Sequence, residues 1–327
     1  MKFPHLPALQ LKSLLAITAL LASIPALAAD YPGLPTRDQN PLLQGYFIPA
    51  MPLASADGWA FSQSLYITNT YQLDRSADED LIIDVENTRL DIQASWARDL
   101  WRFNINIPFI RNSAGFLDQT IVGWHDFFGL PQGGRDQATN DRLQLTYQDA
   151  DGMVINTMQG GSAIGDIQLA AGYQVSTASQ LWLGVELAAS NDPVISNQAA
   201  DLALWYAYAA QSHSKLTPYG LVGLSFPGND GLFKNRLKSQ FLFGQIGALY
   251  ALRPDWQFLL QADFHSSMLK QTRLDALEHS LQAQFGLRLP RVSKDLQLDL
   301  FFSEDIYPGH APDITFGLRF STRTQAH

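Results

Sequence analysis

The ten residues LWRFNINIPF, Leu100–Phe109, decide the fold. Trp101, Phe103, Ile105, Ile107 and Phe109 occupy alternate positions, with Arg102, Asn104 and Asn106 between them. Successive residues of a strand point to opposite faces, so this segment carries one apolar and one polar face. The same alternation recurs at Leu181, Leu183, Val185 and Leu187, and at Trp256, Phe258, Leu260, Ala262 and Phe264. It returns at Leu281–Leu289, Leu296–Phe302 and Ile314–Phe320.

Twelve long strands are predicted, near 58–69, 82–97, 100–109, 165–175, 179–190, 201–212, 216–226, 239–252, 255–267, 277–289, 295–304 and 313–321. The links between them alternate. Arg98-Asp99, Ser176–Ala178, His213–Lys215, Arg253-Pro254 and Pro290–Lys294 are short, whereas 70–81, 110–164, 191–200, 227–238, 268–276 and 305–312 are long. An even number of strands with short turns at one rim and long loops at the other describes an outer-membrane barrel. A secreted β-sandwich also alternates, but nothing in it requires loop lengths to alternate as well. The expected fold is therefore all-β: a transmembrane, antiparallel, up-and-down barrel of about 12 strands over 58–321. Fourteen strands is the fallback if 142–157 joins the wall.

Bulk properties agree. Lys2 and Lys12 precede an apolar run, Leu14–Ile24, then Pro25 and Ala26-Leu27-Ala28, the pattern of a Sec signal peptide over 1–28. Without it the chain has 20 basic residues against 31 acidic ones, a formal charge of about −11, which argues against a nucleic-acid partner. There is no cysteine, so disulfides, thiol nucleophiles and cysteine-ligated metals are excluded. No later apolar run is long enough for a transmembrane helix. The protein is expected in the outer membrane of a Gram-negative cell, as a monomer in contact with membrane lipid and lipopolysaccharide.

Cost assigns the faces. A cation facing lipid at the midplane costs about 2–4 kcal/mol. Arg102, Asn104, Asp263, His265, Gln282, Arg288, Asp299 and Arg319 are therefore the candidate lumen-lining residues. Trp59, Tyr66, Trp96, Trp101, Trp182, Tyr206, Tyr250 and Trp256 lie toward strand ends and are candidates for interfacial aromatic girdles. Strands 216–226 and 239–252 carry apolar residues on both faces and stay ambiguous. Residues 29–57, rich in proline through Pro32–Gly58, are expected to form an irregular leader in the periplasm or the barrel mouth. Residues 322–327 form a C-terminal tail.

Two stretches, DQNPLLQGY (Asp38–Tyr46) and GFLDQTIVGWHDFFGLPQGGRD (Gly115–Asp136), resemble an uncharacterised proteobacterial family, domain-of-unknown-function family 3187. The resemblance covers the mature chain and implies an exported outer-membrane protein without implying an activity. Many outer-membrane barrels end on an aromatic residue, whereas here Phe320 is followed by STRTQAH.

The second stretch sits in the longest connection, 110–164. As a helix it places Leu117, Ile121, Trp124 and Phe128 on one side, and Asp118 with His125 on another. Gly129, Pro131 and Gly133-Gly134 end it. Segments 142–148 and 152–157 flank Asp151-Gly152, a hairpin signal. The aromatics are expected to pack. Asp118, Trp124, His125, Asp126 and Arg135 are the candidate constriction residues should the insert cap or narrow the lumen.

Enzymatic readings are weaker. Twelve strands is the size of the outer-membrane phospholipase, which pairs a histidine with a serine two residues on, and His265 and Ser267 have that spacing. The alternation turns both inward, away from lipid, and no third residue orients the histidine. GGSAI (Gly160–Ile164) departs from the G-x-S-x-G elbow at Ile164 and is expected to be a loop. His265 should oppose Glu278 or Ser280, leaving His279 on the other face, so no histidine metal pair forms. Asp74, Asp78, Glu79 and Asp80 suggest a solvated acidic surface able to bridge cations to lipopolysaccharide. No cofactor or metal is expected. The leading expectation is a narrow pore or small-molecule transport channel partly occluded by its long loop. The alternatives are a lipid-directed hydrolase, or a structural or adhesive surface barrel.

Overall fold

The computed structural model describes residues 31–35, 37–49, 57–129, 132, 134–135, 138–210, 215–253, 256–290, 296–307 and 309–323. The expected signal peptide lies outside these residues, as do 50–56 of the leader and 324–327 of the tail. In chain order the strands are β1 (Gly58–Arg75), β2 (Asp80–Arg98) and β3 (Trp101–Ser113), then helix α1 (Asp118–Phe128). There follow β4 (Gln144–Asp149), β5 (Gly152–Thr157), β6 (Gly161–Ile164), β7 (Ile167–Ser176), β8 (Ser179–Leu187) and β9 (Ala200–Ala209). The last six are β10 (Leu216–Phe226), β11 (Phe241–Arg253), β12 (Trp256–His265), β13 (Ser280–Arg288), β14 (Leu296–Asp305) and β15 (Ile314–Arg323).

β1 pairs with β2, β2 with β3, β3 with β7, and each later strand with its successor as far as β15. β15 returns to β1 from Ala60↔Arg323 to Asn69↔Ile314 and closes the ring. Closure satisfies every edge that an open sheet would expose, a requirement wherever lipid replaces water. The ring has twelve strands, all antiparallel, so the fourteen-strand alternative is set aside.

The three remaining strands build upward at the long-loop rim. β4 pairs with the first part of β2, Asp80↔Gln148 to Asp84↔Gln144, above the point where β3 leaves it. β6 pairs with the last part of β3, so the GGSAI segment forms strand, not the expected loop. β1 and β2 run longer than alternation predicted because they continue pairing above the ring.

Alternation sorts the wall into two faces. Outward residues such as Phe103, Leu183, Leu204 and Leu260 remain exposed because no protein covers them. Inward neighbours such as Asn104, Asn106, Gln261 and Gln284 are buried. A soluble domain would show the reverse, and this apolar exterior is what a bilayer accommodates. At the short-turn rim, Trp59 stacks on Phe61, Trp96 packs on Phe103, and Trp101 meets Tyr173 edge to face at 5.2 Å. Two girdle candidates are corrected. Tyr66 and Trp182 sit at inward positions and are fully buried, because parity along the strand, and not nearness to its end, sets the face.

At the long-loop rim, inward Leu81, Ile83, Leu145 and Tyr147 join Phe233 and Leu237 of the β10–β11 loop and Met268 and Leu274 of the β12–β13 loop. The leader's Leu42, Leu43 and Tyr46 belong to the same apolar cluster. This roof is the upper part of a hydrophobic core that continues down the lumen through Phe47, Trp205, Tyr219 and Leu34. Burying each such side chain fully contributes about 1.5–3 kcal/mol.

Candidate functional site: the leader in the lumen

The leader lies inside the ring, and its course follows from its hydrogen bonds. Near the short-turn rim, Arg288 donates to the Pro32 carbonyl at 3.2 Å and Arg319 to that of Gly33 at 3.3 Å. Gln245 and Gln261 both donate to the Leu34 carbonyl at 3.3 Å, and the Leu34 N–H returns a bond to Gln261 Oε1 at 2.9 Å. The Tyr66 hydroxyl takes the Pro35 carbonyl at 2.6 Å. Pro32 and Pro35 have no N–H of their own, so this segment offers mainly acceptors, and the wall supplies the donors. Buried backbone carbonyls need such partners.

The leader then rises to the other rim. Asp38 Oδ2 accepts from His265 Nε2 at 2.9 Å, while its Oδ1 takes the Asn40 N–H at 2.7 Å. Asn40 in turn accepts from the Leu42 N–H and donates to the Ala276 carbonyl in the β12–β13 loop. Two successive side-chain-to-backbone turns therefore reverse the chain beneath the roof. On the return, Gln44 accepts from Asn87, and the Phe47 N–H donates to Asp201 at 3.1 Å. Phe47 packs edge-on against Trp205, which is stacked on Trp182 at 5.7 Å. Gly184 permits this: a Cβ there would stand 2.9 Å from the Phe47 ring. Arg37 donates to the Ile48 carbonyl and ties the two legs together.

All eight candidate lumen residues point inward. Arg288 and Arg319 converge on Asp299, at 2.8 Å from Arg288 Nε and 3.0 Å from Arg319 Nε. Asp263 gathers Gln245, Gln261 and Gln284. Gln282 stands opposite Asp263 on the neighbouring strand, and Asn104 bonds Ser95. Arg102 binds the Asp99 and Trp101 carbonyls at the short-turn rim. A space of about 20 Å³, room for a single water, remains beside Arg37, Asp38 and His265.

Further inward groups escaped sequence reasoning. Arg89 is fully buried and pairs with Asp91 at 2.7 Å, and Glu186 and Asp201 face each other across β8 and β9. Their parity was legible; their occupant, the leader, was not. The ambiguity of β10 and β11 has the same source, since inward Tyr219 meets the leader's Tyr31 at 5.3 Å.

The five candidate constriction residues lie elsewhere. Leu117 and Ile121 of α1 pack on Ile67 and Ile314, which are outward positions of β1 and β15. Asp118 accepts from outward Asn69 at 3.0 Å and from Arg135 at 2.6 Å, and Arg135 reaches Asp313 at 2.5 Å. Arg135 also stands 4.9 Å from the Tyr71 ring centre. Asp126 is exposed and accepts from Gln132, His125 is half-buried, and Trp124 is exposed. The helix therefore packs on the outside of the wall. Gly129, left-handed at φ 68°, ends it and returns its N–H to the His125 carbonyl. The expected hairpin exists as β4 and β5, and inward Leu145 and Tyr147 belong to the roof.

The His265 ring nitrogens face Asp38 and the Ser266 carbonyl, whereas Ser267 donates to the Leu269 carbonyl. His265 stands opposite Ser280, and His279 packs at 4.6 Å on His310. The acidic loop also disperses. Asp80 pairs with Arg75, while Glu79 is buried against Arg236, Tyr147 and the Arg273 N–H. Burial pushes the Glu79 carboxyl up, but those three donors outweigh it and hold it below the usual carboxylate range.

Closed ring, apolar exterior and polar interior define a transmembrane barrel with the fold of outer-membrane channels. The COG4313 outer membrane channel from Pseudomonas putida F1 superposes with a TM-score of 0.51 at 11% identity, over 86% of this chain and 98% of that one. The toluene transporters TodX of P. putida and TbuX of Ralstonia pickettii each give a TM-score of 0.42. Identities are 12% and 13%, covering 89% and 88% of this chain and 94% and 92% of theirs. No curated protein sequence matches. Residues 9–323 match the family described as "Protein of unknown function (DUF3187)", and the chain belongs to that family.

Proposed function

We propose that this protein is a monomeric outer-membrane channel for small polar solutes, held closed by its own leader. One observation carries the reading: wall side chains satisfy the leader mainly through hydrogen bonds to its backbone. Each such bond contributes about 0.5–1.5 kcal/mol net, and about 1.5–3 kcal/mol where an arginine donates, because in the open state water replaces the partner. Departure of residues 31–35, which also uncovers Leu34, would expose a wall of arginine, aspartate and glutamine, a surface suited to hydrated solutes. Eight strands are enough for a barrel filled by side chains alone. Twelve make a wider ring, and here the added width is taken up by a removable segment. The β4–β5 hairpin contributes to the roof, which is the sense in which the long loop occludes the mouth.

Planar-bilayer conductance tests this. The full chain is expected to show little current, and deletion of 31–49 a steady one. A deletion variant that keeps heat-modifiable gel mobility, and hence a folded barrel, yet stays silent would refute the channel. Recovery of the protein from inner-membrane or soluble fractions would refute the location.

A further inference from the structure

We infer that α1 is an interfacial anchor, a helix laid against the outside of the barrel with one flank immersed in the lipid of the adjoining leaflet. Three observations point there. First, the helix docks on the wall's outward face, through Leu117 and Ile121 against Ile67 and Ile314. Second, height: Ile67 lies eight residues along β1 from the girdle residue Trp59. At a strand rise of about 3.4 Å and a tilt of about 45°, that is roughly 19 Å up an apolar band about 25 Å tall. The helix axis thus sits near the band's upper margin.

Third, the two flanks differ in chemistry. Residues advance about 100° around a helix, so with Ile121 against the wall, Asp118, His125 and Asp126 fall to one side. Trp124, Thr120 and Phe127 fall to the other. The first flank is the higher one, because Arg135 bridges Asp118 to Asp313, which accepts from the Tyr71 N–H, four residues further than Ile67 toward the long-loop rim. The second flank therefore faces down the apolar wall. It carries Trp124, 46% exposed, and Phe127, 81% exposed, with Phe116 beside it at 65%. Large aromatics left this open in water would be a liability; at a membrane interface they are favourable. The occupant is lipid because the patch continues the outward face of β1 and β15, whose Phe316 and Phe320 are likewise exposed.

The inference rests on residence in a membrane but not on conduction. The chain has no cysteine, so single replacements report alone. Phe127→Cys, Asp126→Cys and, as a mid-wall reference, Leu183→Cys would be spin-labelled in vesicles of phosphatidylethanolamine and phosphatidylglycerol. Collision rates with oxygen and with a water-soluble nickel chelate are then compared. Oxygen should dominate at 127 and 183, and the chelate at 126. Chelate dominance at 127, with 183 still in lipid, would overturn the anchor and leave the barrel's residence intact. Protection of 127 from both reagents would overturn it in favour of a protein contact. Chelate access at 183 would sink membrane residence itself, and the anchor with it.

Discussion

His265 and Asp38 show how much one residue decides here. Their pair is buried on both sides, at 2.9 Å, and it links β12 to the leader where the leader turns. Removing one partner leaves the other buried without its hydrogen bond, a loss of about 1–3 kcal/mol. Asp38→Asn should therefore lower the thermal midpoint in detergent and raise channel open time in bilayers. The double variant with His265→Gln should lose less than the two single losses added together, and a double loss equal to that sum would show the pair to be uncoupled. Gly184 is a second such point. Gly184→Val places atoms where the Phe47 ring lies, so conductance should rise while barrel assembly persists. Unchanged block in bilayers would mean that Phe47 does not seat the return leg.

At the scale of elements, the roof and the helix depend on separate ion clusters. Glu79 has a carboxyl held below its ordinary range, so it binds a proton less readily in the folded roof than in the unfolded chain. Its contribution is complete above the unfolded value and is lost as pH falls through the folded one. The roof should loosen under acid, seen as faster amide exchange in 233–237 and 268–277 below the carboxylate range, with Glu79→Gln much less responsive. Identical acid profiles in the two proteins would remove Glu79 from the account. Arg135 plays the matching part outside the wall, bridging buried Asp118 to Asp313, whose carboxyl burial pushes up. Arg135→Ala should release residues 115–129 to exchange while the ring strands stay protected. A variant whose helix stays protected would show that Leu117 and Ile121 hold α1 unaided.

For the whole molecule, the leader makes the barrel a filled solid, with a hydrophobic roof above and charged rows around its lower half. Deleting 31–49 removes Tyr31, Leu34, Leu42, Leu43, Tyr46 and Phe47 from the interior, six side chains buried at about 1.5–3 kcal/mol each. The ring's hydrogen-bonded closure does not depend on them. The deletion should lower the unfolding midpoint substantially yet leave heat-modifiable mobility and β-sheet circular dichroism intact. Loss of both would make the leader a folding core as well as a plug.

Alternation and link lengths are properties of the chain taken one residue after another. They carried the strand count, the inward face of Arg102, Asp263 and Arg319, and the hairpin at Asp151-Gly152 directly in the sequence. Nothing one-dimensional says what an inward face meets. An apolar inward residue such as Tyr219 or Phe243 blurs the pattern until Tyr31 and the rest of the leader are seen filling the lumen. Likewise GFLDQTIVGWHDFFGLPQGGRD announced a helix with one apolar side, and that side buries equally well against the inside or the outside of a wall. Only the three-dimensional register, which puts Ile67, Asn69 and Ile314 on the lipid face beside it, decided for the outside. Pattern determines which face of an element is hidden; its partner is set by contacts far apart in the chain, and here those contacts set the helix against the outer wall and the leader inside the ring.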